Sequence, residues 1–195
     1  MAKQKIKVKS TIAKSVVKKT AFNKKVFDSR PRFFAKIYAS SWKRKQHQKY
    51  FHLLPILKSL LNAKSVVIDY GIGPGWLWFF LEKNKVKFKK VIGFEPKPEK
   101  ELIHKKLKIV HSREKLDIEI KKNKKIDLII LFDSFHLLSE TELNYLKELK
   151  QKQKAMILIS LPKSKEHIIT NHIFGDYMLK GDCGVEEVDA FWVIK

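Results

Sequence analysis

The sequence predicts a doubly wound α/β domain, with a mostly parallel sheet between two layers of helices and a basic extension at its N-terminus. After residue 64, five apolar runs rich in Val and Ile have the length of buried strands. Charged segments with helical spacing separate these runs and are long enough to cross over between parallel strands. The third observation is charge, since the first quarter of the chain is far more basic than the rest.

The strands are predicted at residues 65–70, 90–95, 107–111, 126–132 and 155–161. The helices between them are predicted at residues 75–84, 97–106, 113–122 and 138–152. Because the strand runs are apolar without alternation, both faces of the sheet are expected to be buried. Farther on, Lys163–Met178 is expected to form a helix and turn, and Val185–Lys195 a closing strand. Before the first strand, Tyr50–Leu61 is expected to form a covering helix, with Pro55 near its first turn or at a kink.

Composition narrows the class of protein. The chain has 195 residues, enough for one domain, and 44% of them are hydrophobic, enough for a sizeable core. No apolar run is long enough to span a bilayer. Cys183 is the single cysteine, which excludes an intramolecular disulfide and a cysteine-rich metal site, so no metal is expected. It suits a reducing compartment, and a cytoplasmic location is expected.

The charge is concentrated at the N-terminus. The chain carries 42 Lys and Arg against 20 Asp and Glu, a net charge of +22. Residues 1–50 hold sixteen of the bases and one acid, Asp28, whereas residues 51–195 hold twenty-six bases and nineteen acids. This asymmetry indicates a polyanionic partner, and RNA is favoured over a membrane. The alternative is lysine enrichment from a biased genome, which should spread lysine evenly.

Three parts of the chain follow from these patterns. Residues 1–28 form a basic tail, expected to stay extended until it meets its partner, although a mitochondrial presequence is an alternative for so basic a segment. Residues 29–62 form a basic and aromatic helical extension, and residues 63–195 form the α/β domain. The extension carries aromatic residues that either pack on the domain or stack on unpaired bases: Phe33, Phe34, Tyr38 and Trp42.

A glycine-rich turn follows the first strand. The strand Val66–Asp69 leads into Gly71, Gly73 and Gly75, and a helix is expected to start near Trp76. Glycine lets the backbone turn tightly and approach a ligand closely, and the N-terminus of the helix adds unpaired N–H groups. Glu95 follows the second strand, twenty residues after Gly75, where an acid can reach ribose hydroxyls. The pattern predicts a nucleotide-like ligand at this turn.

The turn reads D-x-G-x-G-x-G from Asp69 to Gly75 and resembles motif I of the class I S-adenosylmethionine-dependent methyltransferases. "VIGFEPKPE" and "IDLIILFDSFHLL" resemble the second and fourth motifs of that family, and the resemblance covers roughly residues 50–195. It implies a Rossmann-like methyltransferase sheet, ending in an antiparallel strand pair, and S-adenosylmethionine as the cofactor. The glycine loop would lie against the methionine part of the cofactor and Glu95 would bind both ribose hydroxyls. Asp69 would help to fix the loop and the cofactor amine, and Ser112 would contact the adenine.

Candidates for the chemistry follow the fourth strand, at Asp133 and His136. His136 could act as a base near neutral pH, or it could be a helix-start histidine with ordinary hydrogen bonds. Asp133 could serve catalysis, cap a helix or contact the cofactor. The Asp/Asn-Pro-Pro-Tyr/Phe motif of amino-group methyltransferases is absent, as is a Pro-Cys at this strand, and Cys183 lies too near the end to suggest a nucleophile. The target atom is therefore left open.

Three functions are consistent with these features. The first is an RNA methyltransferase, acting on ribosomal RNA and anchored by the basic tail. The second is a catalytically inactive methyltransferase-like RNA-binding component of the ribosome or its assembly machinery. The third is a methyltransferase for a small molecule or a protein.

Overall fold

A computed structural model of the chain describes residues 40–97, 104–165, 169, 177–183 and 189–195, with side chains from residue 48 onward except that of Tyr177. The predicted tail at 1–28 and the side chains of the four extension aromatics lie outside the described residues. The division of the chain at residues 28 and 62 therefore stays a prediction.

Helices and strands alternate along the described chain. The helices are α1 (Ser40–Leu60), α2 (Trp76–Lys83), α3 (Arg113–Lys121) and α4 (Glu140–Gln153). The strands are β1 (Val66–Tyr70), β2 (Lys90–Phe94), β3 (Leu107–Val110), β4 (Leu128–Phe132), β5 (Met156–Pro162), β6 (Tyr177–Cys183) and β7 (Asp189–Ile194). Short 3₁₀ helices follow β4 at Phe135–Leu137 and β5 at Lys163–Lys165.

The strands form one sheet in the order β3-β2-β1-β4-β5-β7-β6. Neighbours among β1 to β5 pair in parallel, whereas β7 pairs antiparallel with both β5 and β6. The strand order reverses between β1 and β4, so β1 lies between β2 and β4. Because these strands are parallel, their carboxyl ends lie together at one edge of the sheet. The predicted doubly wound α/β class is confirmed, as are the five parallel strands and the closing strand at β7.

Buried residues form one cluster on each face of the sheet. One cluster joins Ile68, Ile129 and Ile159 to the apolar sides of α3 and α4. The other joins Val67 and Leu158 to α1 and α2. Helices thus cover both faces, as the unbroken apolar strands predicted. No described helix is long and apolar enough to cross a membrane.

Helix α1 belongs to this packing. Leu53 and Leu57 are fully buried against the sheet, which confirms the covering helix. Pro55 lies well inside α1, so its predicted place near the first turn is wrong. The helix is described from Ser40, ten residues before Tyr50, and this part of it lies within the segment 29–62 that was predicted to be a basic and aromatic helical extension.

Two further expectations fail in part. The helix and turn predicted at Lys163–Met178 is wrong at its end, because Tyr177 and Met178 begin β6. This strand pairs with β7, and a Cβ at Gly181 would lie 2.7 Å from the Phe191 ring. Of the helix predicted at residues 97–106, residues 98–103 lie outside the described residues, and 104–106 form a turn into β3 instead.

Candidate functional site: the glycine loop and the carboxyl edge of the sheet

The loop after β1 depends on left-handed backbone angles. The φ values are 84° at Gly71, 53° at Gly73 and 85° at Gly75, in a region that residues other than glycine rarely adopt. A Cβ at Gly71 would lie 2.6 Å from the Cβ of Ser134, so the loop also needs glycine there for close packing. A Cβ at Gly73 would meet nothing within 4 Å, so the loop is open on that side. The space that a ligand needs is therefore present at Gly73.

Glu95 lies directly beside this opening. Its Oε2 accepts a hydrogen bond from the backbone N–H of Gly73 at 3.0 Å, and its Oε1 accepts one from the N–H of Lys97 at 3.2 Å. The N–H of Gly71 donates to the carbonyl of Phe94, the residue before Glu95, at 2.8 Å. A carboxylate offers about four acceptor sites, so two remain for hydroxyl groups of a ligand. The structure thus brings the predicted acid and the predicted loop together.

Asp69 is buried beneath the loop. It is 4% exposed, and its Oδ2 accepts a hydrogen bond from the indole Nε1–H of Trp78 at 2.6 Å. The pKa of Asp69 is raised to about 7, chiefly by burial; the bond from Trp78 opposes this rise and the charge of Glu95 adds to it. Trp78 was not predicted as a site residue, because the sequence does not show that the N–H of a tryptophan in an apolar run will bond to an acid.

The end of β4 adjoins the loop. The hydroxyl of Ser134 donates to the carbonyl of Tyr70 at 2.7 Å and fixes β4 against the end of β1. Asp133 has a φ of 56°, unusual for a residue with a side chain. Its carboxylate is 2.6 Å from the ammonium group of Lys49, which lies in α1. Sequence reasoning had no means of finding this partner, eighty-four residues away.

Lys49 is buried between two acids. It is 2% exposed, and its Nζ lies 2.8 Å from Asp189 at the start of β7 as well as 2.6 Å from Asp133. Burial acts to lower the pKa of Lys49, but the two carboxylates outweigh it and the pKa is raised. The lysine therefore stays charged and links α1, β4 and β7 at the candidate site. It cannot serve as one of the phosphate-binding bases of residues 1–50.

His136 lies in the 3₁₀ helix that follows Asp133. Its ring is partly buried, and Nδ1 has no hydrogen-bond partner among the described residues. The interpretation of His136 as a helix-start residue with ordinary hydrogen bonds is thus not met at this nitrogen. Cys183 is fully buried, and burial raises its pKa to about 11, so it stays a thiol at neutral pH.

Ser112 follows β3 and caps α3. Its Oγ accepts from the N–H of Lys115 at 3.4 Å, and its hydroxyl also bonds to the carboxylate of Glu114. Next to it, Arg113 donates to the Tyr70 hydroxyl at 3.1 Å and lies over the ring of Tyr145, 3.1 Å from its centroid. These contacts hold the chain beyond β3 against the end of β1. Ser112 is thereby placed at the same edge as Glu95.

The residues at this edge fit the cofactor that the sequence resemblance implies. The opening at Gly73 and the remaining acceptor sites of Glu95 suit a ribose. No group of three or more acidic, His or Cys side chains that could hold a metal occurs among the described residues.

Over residues 42–171 the sequence matches the family described as a methyltransferase domain. This chain is a methyltransferase of that family. As a class I member it uses S-adenosylmethionine, and the glycine loop, Asp69, Glu95 and Ser112 are the residues that would hold it. When bound, this cofactor supplies an electrophilic methyl group. No curated protein gives a significant sequence match to the methyltransferase.

Solved structures share the fold. The 16S rRNA methylase ArmA is 12% identical with a TM-score of 0.55, covering 83% of this chain and 88% of its own. A SAM-dependent methyltransferase from Aquifex aeolicus is 20% identical with a TM-score of 0.50, covering 80% and 98%. The 16S rRNA methylase RmtB is 14% identical with a TM-score of 0.52, covering 80% of this chain, which spans 65% of RmtB. At these identities the likeness extends to the fold alone.

Proposed function

We propose that this methyltransferase modifies RNA, with ribosomal RNA as its substrate class, and that residues 1–50 help to bind it. The observation that carries the proposal is the charge of that segment, with sixteen bases and one acid. Lys49 is committed to its internal ion pairs, so fifteen bases are left for phosphates. A segment of this charge attracts polyanions and releases their counterions on binding. Two of the structures that share the fold are themselves described as 16S rRNA methylases, in keeping with this choice.

We infer that the residues after β4 lie beside the group that accepts the methyl. Methyl transfer is a displacement in which the enzyme mainly positions the nucleophile and, where needed, accepts its proton. His136 lies in the 3₁₀ helix that follows Asp133 and its ring is partly exposed, which supports a role as proton acceptor. Asp133 is held in place by Lys49 and orients the groups around it. We assign His136 the role of base and Asp133 that of a positioning residue.

A catalytically inactive RNA-binding component is the second candidate. The basic segment at residues 1–50 would serve this candidate equally, because RNA binding requires no turnover. Methyl transfer separates the two candidates, because only the first predicts turnover.

Purification of the full chain under low and high salt tests the proposed partner. At low salt, RNA should copurify and be removed by ribonuclease, and high salt should release it because counterion release weakens phosphate contacts. Protein that carries no nucleic acid at low salt, and does not bind added ribosomal RNA, would contradict the proposal and favour a small-molecule or protein substrate.

A further inference from the structure

The edge of the sheet opposite the cofactor site is lined with lysine. Five segments lead into the parallel strands there, and we name them the amino-edge loops: residues 61–65, 84–89, 104–106, 122–127 and 154–155. Ten of their residues are lysines and one, Asp127, is an acid. Nine of the ten lysines are exposed, and Lys106 is partly exposed.

Hydrogen bonds join these loops into a continuous row. The N–H of Lys89 donates to the carbonyl of Ser65 at 2.9 Å, and the N–H of Val66 donates to Oδ2 of Asp127 at 3.0 Å. The carbonyl of Asp127 in turn accepts from the N–H of Met156 at 3.1 Å. Neighbouring strands lie about 4.8 Å apart, so five strands give a row about 19 Å long. A row of this length faces several consecutive phosphates of a nucleic acid strand, which are about 3.4 Å apart along a duplex.

Lysine enrichment across the whole chain does not account for this row. Residues 51–195 hold twenty-six bases and nineteen acids. With the ten lysines and Asp127 of the amino-edge loops set aside, sixteen bases and eighteen acids remain. The rest of residues 51–195 therefore carries a slight net negative charge, and the net positive charge of this part of the chain comes from the amino-edge loops. Such a distribution is typical of a surface that binds a polyanion.

The composition of the loops indicates which part of a nucleic acid they suit. These loops contain two aromatic rings: Phe88 is 2% exposed and packs against Trp78, and the side chain of His104 is 5% exposed and packs against Phe79. The loops therefore present no ring on which a base could stack. Two of the lysines are held in ion pairs, Lys122 with Glu119 and Lys125 with Asp127. Lysine contacts phosphate as a point charge and carries no base sequence information. The row is thus suited to the backbone of RNA.

We propose that the amino-edge loops bind the phosphate backbone of RNA, without reading its bases, as a second contact on the face opposite the methyl-transfer site. The inference rests on the proposed RNA substrate and adds a requirement to it. A five-residue strand is about 16 Å long, so an RNA that occupies both edges has to pass around the domain. This requirement favours a large folded RNA over a short single strand.

Salt-dependent binding of the full chain to a short RNA duplex tests the proposal. The test variant replaces four exposed lysines without an ion pair among the described residues: Lys64→Gln, Lys87→Gln, Lys89→Gln and Lys124→Gln. A matched control makes the same charge change at four exposed lysines outside the loops: Lys97→Gln, Lys108→Gln, Lys115→Gln and Lys165→Gln. A third protein carries arginine at the four tested positions and so retains their charge.

If two to four of these lysines contact phosphates, the slope of log K against log salt should become shallower by about 2–4 in the test variant. The control and arginine proteins should keep nearly the wild-type slope, and anionic vesicles should not compete with the duplex. Equal losses in the test and control variants, or an unchanged test variant, would overturn the inference and leave the RNA substrate standing. Wild-type protein that binds vesicles but no RNA would overturn both.

Discussion

Lys49→Met removes the buried ammonium group that links α1 to β4 and β7. Methionine fills a similar volume, so the main loss is charge, and Asp133 and Asp189 lose the cation that lies between them. Removing one partner of a buried ion pair costs about 3–5 kcal/mol. The two carboxylate side chains are 30% and 15% exposed, and this access to water places the expected loss near the lower end, about 3 kcal/mol.

Urea denaturation of the full chain measures this loss. Lys58→Met in the same helix is the matched control, because Lys58 is exposed and its replacement should change the free energy of unfolding by less than about 0.5 kcal/mol. The pKa of Lys49 is raised from 10.5, so its contribution is complete at lower pH and is lost as the pH rises through the raised value. The difference between wild type and Lys49→Met should therefore stay constant from about pH 6 to 9. If Lys49→Met costs no more than Lys58→Met, the ion pairs do not hold α1 to the sheet.

Four further outcomes are expected. Glu95→Ala should weaken S-adenosylmethionine binding by about 2–4 kcal/mol in calorimetry, since two charge-assisted hydrogen bonds are lost; unchanged affinity would contradict its ribose role. His136→Ala should slow turnover by about 10²–10⁴-fold with nearly unchanged cofactor affinity, whereas lower stability with intact turnover per folded molecule would indicate a structural histidine. Deleting residues 1–28 should flatten the salt dependence of RNA binding, from an expected wild-type slope of roughly −3.5 to −6, and leave cofactor binding intact; unchanged slope and affinity would exclude the tail. Burial raises the pKa of Asp69 from 3.8 to about 7, so the free energy of unfolding of the wild type should fall by up to about 4 kcal/mol as the pH rises from about 4 to 7. Asp69→Asn should abolish this fall, and an equal fall in both proteins would refute the raised pKa of Asp69.

The parallel sheet could be predicted because each of its strands is a local pattern. Val66–Ile68 and Leu128–Phe132 are continuous apolar runs, and runs of this length rich in Val, Ile and Leu favour strands that are buried on both faces. The glycine loop was predictable for the same reason, since its conformation depends on residues next to one another. Strand β6 was missed because its sequence, YMLKGDC, has no regular alternation, and its pairing with β7 is a contact that no local window contains.

The site was predictable only where its members follow a strand at regular spacing. Gly73 and Glu95 are in contact as expected, because parallel strands end at one edge. Trp78 and Lys49 were missed, although both bond to predicted site acids. A tryptophan in an apolar run and a lysine in a basic run match their surroundings in sequence. Their roles depend on partners that the fold brings close. Lys49 can be buried as a charged group because Asp133 and Asp189, both distant in sequence, pair with it.

Transfer of a labelled methyl group tests the central claim most directly. The full chain is incubated with labelled S-adenosylmethionine and, separately, ribosomal RNA, a protein extract and a small-molecule extract, with Glu95→Ala as the matched control at subsaturating cofactor. The account predicts label in ribosomal RNA, with much less from the Glu95→Ala protein. Label in protein or small molecules with none in RNA would contradict the RNA substrate, and a chain that binds RNA but transfers no label to any acceptor would contradict the enzymatic activity.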